Sequence, residues 1–174
     1  MQSKNFISAD KAGIGGTDDL SALLAGIAGD ITALQGRIEV TTGTWSPQWV
    51  FTSGSWGVFD GLTAGKYTKI GNLVILHFAI ATSSTNSSPS GSARITNLPF
   101  AVQTQVPNVA ACAVYATGFS TAFPNIAMAQ NSTEISLYRT EPNAEPTAVT
   151  ATTMAAGAGQ NFVRGCLMYY TPDA

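Results

Sequence analysis

The chain has 174 residues, a net charge of −2 and a charged fraction of 10%, against roughly 25% in ordinary soluble domains; that length holds one compact domain plus a smaller appended element and excludes two full domains. Its eight Lys and Arg residues are scattered singly, which excludes the clustered basic footprint of a nucleic-acid binder. So little charge beside 45% apolar residues points to a surface largely buried against other subunits, because interface cores are depleted of charge.

Residues 1–18 read as an N-terminal arm, polar and interrupted by Gly13, Gly15 and Gly16. They cannot bury a core alone. Phe6 and Ile7 are the candidate anchor, apolar side chains that could seat the arm in a groove of another protein; a disordered tail is the competing reading. The arm has no apolar core of signal-peptide length, and the chain has no apolar run long enough to span a bilayer. Neither conventional secretion nor membrane insertion is expected.

Residues 19–40 carry a heptad rhythm. Leu24, Ile31 and Ile38 fall at a positions and Leu20, Ile27 and Leu34 at d positions, the spacing that lets one stripe of a helix meet copies of itself. The predicted helix runs over Asp19–Ile38, with Thr17 or Asp18 available as a cap. Gly26, Gly29 and Gly36 lie at outer c and f positions, where each costs roughly 1 kcal/mol against Ala. Such a helix is expected to be unstable by itself, and a seam between copies is preferred over packing on its own domain. The a and d identities do not fix the number of strands.

Residues 41–174 read as a knob of short strands: Lys66–Ile70, Leu73–Thr82, Ala93–Thr96, Val109–Thr117, Asn125–Ala129, Glu134–Tyr138 and Asn161–Tyr170. With turn clusters between them and no helical spacers, the expected fold is mainly β, an antiparallel sandwich with jelly-roll-like character. In Leu73–Ile80 both strand faces are apolar, so cover is expected on both, from a second sheet or a neighbouring subunit.

The segment Gly43–Phe100 resembles a recurrent module of bacteriophage tail-fibre, head-fibre and capsid-decoration proteins. The residues that carry the likeness are Gly43, Thr44, Trp45 and Pro47, then Gly65, Tyr67, Lys69, Gly71, Asn72 and Val74 of a hairpin, and last Leu98, Pro99 and Phe100. The resemblance implies a homotrimer on the virion exterior, made in the host cytoplasm, with no cofactor and no catalytic residues. It implies as partner the major capsid protein or another virion protein, for a decoration or head-fibre role. The alternative is a receptor-binding tip that recognises a bacterial surface glycan or protein.

The chemistry-bearing residues are few. His77 is the sole histidine and sits mid-strand without a motif, so a hydrogen-bonded strand or interface histidine is expected rather than a triad member. Glu141 and Glu145 flank Pro142 and Pro146 and read as a solvated turn rather than a glycosidase pair. Cys112 and Cys166 lie in apolar strand-like runs and read as small buried hydrophobes. Trp45 and Trp49 read as structural contacts. Trp56, between Gly54 and Gly57, is the candidate exposed surface contact, and the Ser/Asn-rich stretch Ser83–Ser92 is the second surface candidate, with an inert flexible turn as the preferred reading.

Overall fold

The heptad run forms helix α1, Thr17–Gly36. Thr17 and Asp18 therefore belong to the helix and not to the arm, which shortens the expected arm by two residues. The computed structural model describes residues 17–36, 39–103, 110–121, 123–131 and 133–172. They divide into an N-terminal unit ending at Glu39 and a β unit, Val40–Ala174. Within α1, a Cβ added at Gly26 or Gly29 would meet nothing within 4 Å.

The β unit is mainly antiparallel sheet. Its strands are β1 (Val40–Trp45), β2 (Gln48–Val50), β3 (Trp56–Val58), β4 (Ala64–Ile70), β5 (Leu73–Asn86), β6 (Arg94–Thr96), β7 (Ala110–Thr117), β8 (Ile126–Asn131), β9 (Glu134–Arg139), β10 (Thr147–Ala148) and β11 (Gln160–Tyr170). They join in the order β1-β4-β5-β11-β7-β8-β9-β6-β2, with β3 on β5 and β10 on β9. The predicted hairpin is present: Ile70 pairs with Leu73 across the two-residue loop Gly71-Asn72, with Gly71 at φ +53°, the conformation a tight hairpin asks of its first central residue. Strand β7 curls the sheet. Residues Ala110–Ala113 pair with β8, while Val114–Thr117 pair with β11, so one strand serves both halves.

The curl encloses one core. Alternation along β5 and β11 turns Val74, Leu76, Phe78 and Ile80, with Val163, Leu167 and Tyr169, inward against Ile95, Ile135 and Leu137 of the other half. The three quoted motif pieces meet here as packing. Gly43 opposes Tyr67 and Trp45 opposes Gly65 across β1 and β4, so each glycine lies under the ring of the opposite strand. A Cβ at Gly65 would stand 2.4 Å from Trp45 Nε1, and one at Gly43 would stand 2.5 Å from the Tyr67 hydroxyl. Phe100 meets the Tyr67 ring edge-on at 5.1 Å, carries Lys69 Nζ 5.7 Å from its ring centre, and its carbonyl accepts a 3.0 Å hydrogen bond from the Tyr169 hydroxyl. Gly65→Ala should therefore destabilise the fold by about 1–3 kcal/mol, the usual cost of forcing an extra methyl into a filled site. Urea unfolding, read as a shift of the midpoint at unchanged slope, checks it.

A buried polar knot closes the opposite end of β5. Asn161 is fully buried at φ +50°. Its Nδ2 donates to Thr82 Oγ1 at 2.9 Å and to the Ala155 carbonyl at 2.8 Å, and its Oδ1 accepts from the Ala155 amide at 2.8 Å. Thr82 in turn donates to the Gln160 carbonyl at 3.0 Å.

Candidate functional site

Most of the large apolar residues left exposed lie on two surfaces, one on each unit, with Phe59, Leu62 and Phe123 exposed outside both. On α1, Leu20, Leu24, Ile27 and Ile31 are 53%, 57%, 47% and 50% exposed, a stripe of side chains with half their surface in solvent in the single chain. The helical backbone includes Leu34, whose side chain falls outside the description; Ile38, Phe6 and Ile7 lie outside the described residues altogether.

On the β unit the second surface is the outer face of β1, β4, β5, β11 and β7. Inward-facing Leu167 and Tyr169 fix the parity of β11, so Arg164, Cys166, Met168 and Tyr170 point outward. Strand pairing then builds rows across the sheet. One row is Val40, Ile70, Leu73 and Tyr170, and the next carries Ile75 beside Met168. Met168 is 61% exposed and Val40 57%. The outer side chains of β5 that called for cover, Leu73, Ile75 and Ala79, are half-buried by their neighbours in these rows. None of the five strands contains Asp or Glu. Among the described residues the ion pairs of the β unit, Arg94 with Glu134 at 2.6 Å and Arg139 with Glu141, are on the other half of the sheet.

Farther along the same face is a shallow depression of about 470 Å³, lined by Ala64, Lys66, His77, Tyr115, Arg164 and Cys166. Arg164 lies over the Tyr115 ring, its guanidinium carbon 4.8 Å from the ring centre. His77 Nε2 approaches Cys166 Sγ at 3.9 Å, at the long limit of a sulfur hydrogen bond. The depression offers cationic and aromatic groups to a ligand. Among the described residues no group of three or more His, Cys, Asp or Glu could hold a metal ion, and no helix is long and apolar enough to cross a membrane.

The sequence expectations at Trp56, Cys166 and Ser83–Ser92 need correction. Trp56 is not an exposed contact: it is 7% exposed and its Nε1 donates to the Ser83 carbonyl at 2.9 Å. Cys166 is exposed on the outer face and not a core hydrophobe. Cys112 is half-buried, and burial, followed by the neighbouring Cys166, raises its thiol above the ordinary value, which disfavours the reactive thiolate. Both cysteines are free thiols. The stretch Ser83–Ser92 is also more ordered than a flexible turn, since β5 continues through Asn86, and backbone bonds tie Ser87 to Ser55 and Ser90 to Ser53.

Sequence reading did not single out Ile70, Tyr115, Met168 and Tyr170 as surface residues; the alternation around Leu167 and Tyr169 was the available signal for the last two. Glu141 and Glu145 are exposed, as expected of a turn. No family model, no curated protein and no solved structure matches the chain.

Proposed function

We propose that this protein is a structural component of a bacteriophage virion: a homotrimer whose α1 helices form a coiled coil and whose β unit is a sandwich-like knob on the particle exterior. Its N-terminal arm docks it to the major capsid protein or another virion protein, as a capsid decoration or head-fibre type protein. The observation that carries the reading is the a and d stripe of α1, half-exposed in a single chain. A twenty-residue helix with glycines on its outer side does not hold itself together in water, and burial between copies supplies what it lacks. The low charge of the whole chain supports the same assembly, and the resemblance of Gly43–Phe100 to the phage module supports the virion.

Native mass spectrometry at micromolar concentration should give three times the chain mass; a monomer with intact helical circular dichroism would overturn the trimer. Deleting residues 1–16 should leave that mass ratio unchanged and abolish incorporation into particles that lack the native protein. Full occupancy by the truncated form would move the attachment surface to the β unit. A second reading, a receptor-binding tip for a bacterial surface glycan, is favoured by the depression that sets the exposed Tyr115 beside Arg164 and Lys66, groups whose donors can hydrogen-bond to sugar hydroxyls. Copy number and position in an electron cryo-microscopy map of the particle separate the two.

A further inference from the structure

We propose that the depression on the outer sheet face is a binding site for an acidic saccharide, in which Lys66 and Arg164 hold the carboxylate of a sugar residue. This assignment rests on the glycan-binding reading above and names the chemical class of its ligand. Strand register builds the site from two adjacent rows of outward side chains. One row runs Lys66, His77 and Cys166 across β4, β5 and β11. The next runs Ala64, Ala79, Arg164 and Tyr115 across β4, β5, β11 and β7. The short methyl groups of Ala64 and Ala79 keep the floor low between taller neighbours, which leaves the hollow of about 470 Å³, a size within the roughly 300–1,000 Å³ of small-molecule sites.

Three observations select the ligand. The first is charge: Lys66 and Arg164 are exposed, neither is in an ion pair among the described residues, and no Asp or Glu occurs in β1, β4, β5, β7 or β11. Cations that line a concave surface without a carboxylate of their own draw an anion to it. The second is placement. The Arg164 guanidinium is held over the Tyr115 ring, 4.8 Å from its centre, and Tyr115 packs in turn against Phe162 with ring centres 6.3 Å apart. A guanidinium fixed in advance presents its planar N–H fork to a carboxylate, whereas a ring already covered by a cation is no stacking platform for a nucleobase. The third is the remaining lining. The hollow is far larger than an inorganic anion, and the Tyr115 hydroxyl and the His77 ring can each donate and accept hydrogen bonds. Those groups match sugar hydroxyls, and a bare anion leaves them unused.

Binding of the full-length protein to an array of carboxylate-bearing bacterial polysaccharides, each present also in its carboxyl-reduced neutral form, tests the assignment. At least one acidic form should be retained, and its reduced form should bind roughly tenfold or more weakly. Lys66→Gln and Arg164→Gln should each weaken retention of the acidic form by a similar factor, with mass in solution and thermal unfolding unchanged because both side chains are exposed. Inorganic phosphate that displaces the polysaccharide as effectively as the free saccharide does would reveal a plain anion site and overturn the saccharide. Equal retention of acidic and reduced forms, or variants that bind like the wild type, overturns the acidic site and leaves the glycan reading standing. Retention of neither form overturns both.

Discussion

Asn161→Ala should lower the stability of the β unit by about 3–5 kcal/mol, as much as truncating a large buried apolar side chain. Three hydrogen bonds disappear at once: those to Thr82 Oγ1, to the Ala155 carbonyl and from the Ala155 amide. The lost bonds themselves matter less than the partners left behind in a site with no solvent access, since each buried group without a partner costs about 1–3 kcal/mol. A second contribution comes from the backbone. Asn tolerates φ +50° because its short amide can bond locally, whereas Ala pays roughly 1 kcal/mol there. Thr82→Val, which keeps the shape and removes one hydroxyl, should cost less. Equilibrium urea denaturation followed by tryptophan fluorescence checks the ranking, and an Asn161→Ala loss smaller than that of Thr82→Val would show that the knot contributes little.

That knot was not legible in the sequence, and the reason is topological: Asn161 and Thr82 are 79 residues apart, and nothing local in either strand announces the partner. Period-two alternation, by contrast, located β4, β5, β7, β8, β9 and β11 to within a few residues, because each is long enough to show it, and the strand expected at Ala93–Thr96 matches the short β6. Strands β2, β3 and β10 have three, three and two residues, too few for a pattern, and β1 is crossed by Gly43, kept small there by the Tyr67 ring. The Trp56 error has a specific cause. Flanking glycines suggested open space, yet a Cβ at Gly54 would stand 2.5 Å from the Ser87 carbonyl oxygen and one at Gly57 would stand 2.4 Å from Ser83 Oγ. Those glycines mark close approach of two backbone segments, with the indole buried between them. The outer face was half legible. Both faces of β5 are apolar in sequence, but the pairing that sets Met168 beside Ile75 and Tyr170 beside Leu73 required the fold.

Ile31→Asp should weaken assembly of the full-length chain and leave the β unit as stable as before. Ile31 occupies an a position of α1 and is 50% exposed in the single chain, so a carboxylate there is harmless in a monomer. In a trimer three copies of it meet in one buried layer. At about 2 kcal/mol per chain for a buried polar group without a partner, the loss is about 6 kcal/mol per trimer. Trimer dissociation depends on the square of the concentration, so the midpoint should move by roughly a hundredfold. The opposite change is Gly29→Ala, at an outer position where an added methyl meets nothing; it should strengthen assembly through helix propensity, worth about 1 kcal/mol per chain. Sedimentation across a concentration series reads both. If α1 instead packs along its own chain, Ile31→Asp will change thermal stability without changing mass, and that outcome would remove the seam from the proposed function.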